Sequence, residues 1–257
     1  MNITRKTWNN YITLLRNIND KSADDLLKWI RTNFGDGIIT TDYVDADGNN
    51  ILDVAYMIAG KYSNASAAVS AQMYDVIAEL EKASVAPAEL APIPDYGEVA
   101  KTVQGVLKTS QNREELTSAV GRLVKRTGTR TTRANARRDN AEFAWVPSGD
   151  TCAFCIALAS RGWQKARKAD HAEHIHSNCD CTYAIRFNSN TNVAGYDYKA
   201  YYKQYDNAEG DTPEEKINSM RRKYYAQNRE QILAQKADAY AKRQELNSSS
   251  AEETDIN

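Results

Sequence analysis

The sequence predicts a mainly α-helical protein with a small α+β module and long helices on its N- and C-terminal sides. Three observations predict this. Apolar residues recur at three- and four-residue intervals over most of the chain, CTYAIRF (181–187) alternates as a short strand, and every cysteine and histidine lies between positions 152 and 181.

Residues 1–84 read as an N-terminal helical region. Trp8, Tyr11, Ile12, Leu15 and Ile18 fall at helical spacing, and Ser22 is expected to cap a second helix with Leu26, Leu27, Ile30 and Phe34 on its apolar face. Gly35 and Gly37 end it. After a turn around Asp47 and Gly48, an alanine-rich helix is expected from about Ile51 to Ala83, with Val69, Met73, Val76, Ile77 and Leu80 on one stripe. Residues 85–96 form a Pro-rich linker: the surrounding run SVAPAELAPIPDY holds three of the five prolines and cannot continue a helix. In residues 97–142, Val99, Val103, Val106 and Leu107 mark a short helix. Asn112 and Glu115 then make a capped start for a longer one running towards Asp139. Residues 143–188 are the Cys/His module. Nine of the fifteen tyrosines follow Cys181, eight of them in 189–246, enough to dock this polar stretch on a partner surface. Thr212, Pro213 and Glu215 start a final helix expected to reach about Leu246, weakly striped by Ile217, Met220, Tyr224, Leu233, Ala237 and Tyr240. Such a helix is expected to project or to pack on another subunit. The tail 247–257 reads as disordered.

Cys152 and Cys155 form a CxxC knuckle, and His176, Cys179 and Cys181 form HxxCxC. Two pairs of soft ligands far apart in sequence can close a tetrahedron around Zn²⁺ and crosslink a segment too small to hold itself by burial. Such zinc is structural. The alternatives are disulfides, which a cytoplasm disfavours, or packed thiols, which would not gather histidines into the same segment. Cys152, Cys155 and Cys179 are the first candidates as ligands, with the fourth place open to His176 or Cys181. His171 and His174 read as solvated surface.

Two enzymes could use the same residues. A zinc nucleobase deaminase needs HxE before PCxxC, whereas here CxxC precedes His171-Ala172-Glu173 and no proline leads it. A zinc-stabilised His-Cys (HNH-like) DNA endonuclease is the stronger rival, with His171 activating water beside Asp170. The HxxCxC packing leaves no room for the hairpin that would separate a catalytic histidine from the second cysteine pair. No Walker loop, GxGxxG or HExxH occurs. DYVDADGNNILD fails as a calcium loop, because with Gly48 in sixth place the first and twelfth positions are Tyr43 and Val54. No catalytic residue and no small-molecule substrate are expected.

Charge balances, with 33 Lys+Arg against 34 Asp+Glu, which excludes a nucleic-acid coat as a description of the whole chain. No run approaches the ~18 apolar residues of a membrane span, and MNITRKTWNN lacks the apolar core of a secretory signal. No membrane partner is therefore expected, and the protein is expected in a cytoplasm. Charge is nonetheless patterned locally. Arg122, Arg126, Arg130, Arg133 and Arg137 fall within one narrow face of a helix turning about 100° per residue. Guanidinium groups so placed bind phosphates or an acidic protein surface, and otherwise make a solvated face. Without interleaved aromatic residues, contact with DNA would be sequence-blind.

The run from Arg130 through RANARRDNAEFAWVPSGDTCAFCIALASRGW to HIHSNCDC resembles the MuF-like minor head (minor capsid) proteins of tailed bacteriophages, the head morphogenesis family. The shared pattern is an arginine-bearing helix, a V-P-x-G turn, a TCxFC knuckle, an ALASRG-type segment and a closing HxxCDC. KYSNASAAVSAQMYDVIAEL and DYKAYYKQYD extend the likeness over most of residues 1–206. The resemblance implies a low-copy structural component of the virion head, assembled in the host cytoplasm near the portal. Portal and major capsid proteins would be its partners, with a role in head assembly or in handling packaged double-stranded DNA. It also implies a metal clasp of Cys152, Cys155, His176, Cys179 and Cys181. One departure is Trp163 followed by Lys165, Arg167 and Lys168, which predicts a local surface for a different partner. Some members of the family are fused to protease or toxin domains, and this length leaves no room for one, which argues against an enzyme activity.

Overall fold

A computed structural model describes residues 2–148, 151–166, 181–234 and 237. The molecule is mainly helical, as its apolar periodicity predicts. Four helices form a bundle: α1 (Arg5–Phe34), α2 (Ile51–Leu80), α3 (Tyr96–Thr109) and α4 (Arg113–Arg138). Strand β2 (Glu142–Val146) follows, then α5 (Ala153–Ala159), β3 (Gln164–Lys165), β4 (Thr182–Arg186), β5 (Asn192–Val193), α6 (Tyr198–Asp206) and α7 (Pro213–Gln227).

Local chemistry sets the helix ends. Thr4, Asn50, Asp95, Asn112 and Thr212 each cap a following helix with a side-chain oxygen, and at Asn50 and Thr212 an acid three residues on completes a capping box. Gly35, at φ 51°, ends α1 in the left-handed region that glycine enters without a Cβ penalty. The expected break at Ser22 is absent. Ser22 is buried inside one 30-residue helix and donates to the Asn19 carbonyl, because nothing in Asn19–Ser22 interrupts the backbone ladder.

Two apolar clusters close the bundle. At one end Leu26 and Ile30 of α1 meet Ile51 and Ala55 of α2, Val99 and Val103 of α3, and Leu116 and Val120 of α4. At the other end Trp8, Tyr11 and Ile12 of α1, with Tyr74 and Ile77 of α2, pack on the sheet. Between them α2 and α4 approach closely through small residues. A Cβ on Gly128 would stand 2.5 Å from Ser66 Oγ and 2.7 Å from Ser70 Oγ. The buried threonines of this stretch satisfy themselves locally: Thr127 and Thr131 donate to the carbonyls four residues earlier, at 3.1 and 3.0 Å.

The Pro-rich segment does not separate two units. It lies as a strap across α2 and α4. The Asp75 carboxylate accepts from the Ala88 N–H at 2.8 Å and Thr131 Oγ1 from the Ala91 N–H at 3.1 Å. Asn135 accepts from the Glu89 N–H at 2.9 Å and donates to its carbonyl at 2.8 Å. Arg138 donates to the carbonyls of Ala86 and Pro87. The residues on both sides of the strap therefore belong to one bundle.

The sheet has the order β3-β2-β4 and is antiparallel, with Val146 opposite Thr182 and Glu142 opposite Arg186. β4 is the predicted strand. β2 was legible only as part of the module, since EFAWV is buried over its last four residues and carries no polar alternation. The N-terminus is tied in as well: β1 (Asn2–Ile3) pairs in parallel with β5, burying Ile3.

Candidate metal centre and arginine face

Cys152 is the cap residue of α5, exposed and without a side-chain capping bond, and Cys155 lies buried in the first turn. Cys181 immediately precedes β4 and is also buried. No disulfide joins these three described cysteines to one another. The register explains why these turns share one end of the sheet. Val146 and Thr182 face each other, so the chain leaving β2 for α5 starts beside the chain entering β4 from Cys181. Cys155 and Cys181 belong to the same buried cluster. Reduced thiols at a helix start and a strand start have the donor chemistry of a structural zinc clasp. They do not make a centre on their own. Among the described residues no group of three or more His, Cys, Asp or Glu side chains could hold a metal ion. His176 and Cys179, the remaining members of the expected set, lie outside the described residues, as do His171 and His174.

Aromatic residues wall this end. Tyr183 meets Phe143 and Trp145 edge-on, with ring centroids 5.1 and 4.7 Å apart. Burial pushes its phenol well above the ordinary tyrosine range, so it stays neutral. The Tyr196 hydroxyl donates to the Ala159 carbonyl at 2.8 Å, and Tyr201 stacks on its ring. Tyr196 and Tyr201 thus dock on the same chain, whereas Tyr198, Tyr202, Tyr224 and Tyr225 are exposed. Trp163, which departs from the phage pattern, is also absorbed internally. Its indole N–H donates to Asn192, Tyr196 packs against its edge, and the Arg186 guanidinium lies 4.5 Å from its centroid. Lys165 reaches the Asn140 carbonyl, and Arg167 and Lys168 lie outside the described residues.

The five arginines do share one face of α4, but they are not equivalent. Arg122 and Arg137 are exposed. Arg126 pairs with Glu98 of α3, and Arg130 lies 3.9 Å from the same carboxylate. Arg130, Arg133 and Arg137, together with Arg138, line a cleft of about 740 Å³ whose opposite wall is the strap at Glu89–Pro92. Arg138 itself is committed to structure: it pairs with Asp139 at 2.8 Å, and the Tyr74 hydroxyl donates to the same carboxylate at 2.7 Å. The Arg138 guanidinium, together with that Tyr74 bond, holds the Asp139 carboxyl below the usual aspartate range.

A family model described as VG15 protein matches residues 2–208. The chain belongs to the VG15 protein family. This is a family of viral gene proteins, and membership marks the chain as phage-encoded. No curated protein and no solved structure matches it. In this VG15-family chain the matched span takes in the bundle, the sheet and α6, and ends before α7. No described helix is long and apolar enough to cross a membrane.

Sequence reading placed the arginine face on the helix that is α4 and Cys181 at the start of the strand that is β4, but read Cys152 and Cys155 only as a knuckle, without α5, and did not foresee the strap that converts the arginine face into a cleft. A usable signal was present. RTGTRTTRAN interleaves small and hydroxyl residues between the arginines at helical spacing, which marks the opposite face of α4 as one for close packing. The DYVDADGNN segment is a turn tied to α1, in which the Asp45 carboxylate accepts from the Asp47 and Asn49 N–H groups and from the Trp29 indole.

Proposed function

We propose that this phage protein is a minor capsid protein of the head morphogenesis type: a low-copy structural component of the virion head near the portal, made in the host cytoplasm. Its partners in this reading are the portal and major capsid proteins, and it touches packaged DNA without sequence preference through α4. A single Zn²⁺ held by four of Cys152, Cys155, His176, Cys179 and Cys181 locks the start of α5 to the start of β4. The zinc turns nothing over. The observation that carries the reading is the order of the head-protein motifs within the span of a viral family match: the arginine helix α4, the V-P-x-G sequence that starts at the last residue of β2, TCxFC across the start of α5, and CDC, whose last cysteine precedes β4. The described ion pairs also fit a structural role, since Arg126–Glu98 joins α4 to α3, Arg138–Glu89 joins α4 to the strap, and Arg186–Glu142 joins β4 to β2.

Purified virions probed with antibody against the chain should contain it in few copies per head, and its absence from particles would overturn the reading. The rival is the His-Cys endonuclease. Plasmid incubated with the reduced protein and Mg²⁺ or Mn²⁺ should stay intact. Nicking that His171→Ala abolishes would establish the enzyme instead.

A further inference from the structure

We propose that the groove beside α7 docks the acidic loop 35–50 of a second copy of this chain, so that copies join head to tail. The inference goes beyond the head-protein reading and does not rest on it. Helix α7 lies outside the family match, which ends at residue 208.

The groove forms where α7 packs against α5 and α6. No residue of α7 is buried, and only residues 216–220 are half-covered. The cleft has a volume of about 830 Å³. Met220, Tyr224 and Tyr225 supply an apolar wall, Arg221 and Lys223 its cations, and Glu209 its one carboxylate. Tyr224 and Tyr225 are exposed, a surface of the kind that interfaces favour. From residue 216 to residue 229 the chain has five Lys or Arg and no acid. The helix dipole does not account for that charge, since it acts within the last turn, and the last turn of α7 carries no basic residue.

Loop 35–50 is the converse surface. It holds four aspartates and no Lys or Arg. Asp36, Asp42 and Asp47 are exposed, and among them stand Ile38, 74% exposed, and Val44, 54% exposed. The loop is held in one shape before any partner arrives. The Tyr43 hydroxyl donates to Asn33 at 3.0 Å and its ring meets Phe34, while Arg113 of α4 donates to the Gly35 and Gly37 carbonyls. A knob of apolar tips among carboxylates complements a groove with an apolar wall and cations beside it. Nucleic acid would satisfy the cations of α7 alone, whereas a second copy satisfies both surfaces at once.

The knob cannot enter the groove of its own chain. It joins α1 to the N-terminus of α2, whereas α5 belongs to the cluster packed on the C-terminal part of α2. The 30-residue α2 is about 45 Å long at about 1.5 Å per residue, so the two surfaces stand at opposite ends of the bundle. Two different surfaces of one chain make a heterologous contact, in which each added copy presents a further knob and a further groove. One loop in one groove falls at the low end of interface size, so association depends on concentration.

Sedimentation velocity of the full chain at rising protein concentration tests this. The wild-type chain should shift from monomer to larger species, and raising salt from about 50 to about 300 mM should demand about tenfold more protein for the same shift. D36N/D42N/D47N and R221Q/R222Q/K223Q should each stay monomeric. Mixed, they should form a one-to-one dimer and nothing larger, because one variant keeps the groove and the other the knob. Should either triple variant lose its helical circular dichroism, Asp42→Asn and Arg222→Gln stand in, each weakening association by about two- to fivefold. A wild-type chain that stays monomeric throughout would overturn the proposal. So would association unaltered by either set of changes, or a mixture of the triple variants that remains monomeric. A monomeric chain that binds a labelled single-stranded oligonucleotide, with the binding lost in R221Q/R222Q/K223Q, would overturn it in favour of nucleic acid.

Discussion

The two ends of the bundle are closed by different chemistry. Around Leu26, Ile30, Val99, Val103 and Leu116 the core is aliphatic, contributed by four helices that bury it without help. At the sheet end the core is aromatic and cysteine-bearing, and its frame is two five-residue strands and one two-residue strand. Short strands and a seven-residue helix make few backbone bonds of their own, so these elements are held by packing on α1, α2 and α4. The contrast teaches where a crosslink is needed: the helical end has no use for one, and the sheet end carries the thiols.

The largest expected effect breaks that contrast at its weaker side. Structural zinc is worth on the order of 10 kcal/mol in small domains. Cys155→Ser should therefore abolish bound metal and hydrogen-exchange protection of β2 and β4, while amides around Leu26 and Val103 stay protected. Uniform loss of protection would show that the ends are not separate. Next in size, Leu26→Ala at the aliphatic end should cost about 2–5 kcal/mol in urea unfolding while leaving the metal content unchanged. Smaller again is Gly128→Ala between the two ends. Its new methyl meets Ser66 Oγ at 2.5 Å and the Ser66 carbonyl at 3.2 Å. Overpacking should cost about 1–3 kcal/mol, offset by about 1 kcal/mol of helix propensity. Adding Ser66→Ala should recover part of the loss, and strict additivity of the pair would contradict the close contact.

The smallest effect is a pH dependence of two signs on the sheet side. Asp139 has its folded pKa depressed, so its contribution is present above the ordinary 3.8 and lost as pH falls through the folded value. Glu81 is shifted the other way. Its carboxylate accepts from the Phe187 and Asn188 N–H groups, but burial outweighs those bonds and raises its pKa above the ordinary 4.5. Its contribution is complete below that value and lost as pH rises through the folded pKa. Thermal unfolding across pH should show Asp139→Asn less stable at neutral pH by about 0.5–1 kcal/mol and less sensitive to acid. Glu81→Gln should remove the opposite trend.

Much of this was legible in the residues. Periodicity gave α2, α3 and α4, caps at Asn112 and Thr212 gave helix starts to the residue, and alternation gave β4. The misses share a cause in long-range pairing. Ser22 has the chemistry of a cap, yet a continuous helix buries it against its neighbours. The prolines of 85–96 stop a helix as expected, but the side chains that strap the segment down, Asp75, Thr131, Asn135 and Arg138, lie up to 52 positions away. The two-residue strands β1, β3 and β5 are too short to show any pattern. The arginine row was visible, whereas its division among Glu98, the strap and the cleft depended on which elements pack beside α4.

The most direct test of the account is elemental analysis of the full chain purified under reducing conditions. One zinc per chain, with loss of near-ultraviolet signal from Trp145 and Tyr183 when a strong chelator removes it, is the predicted result. A metal-free protein whose aromatic signal is indifferent to chelator would contradict the account.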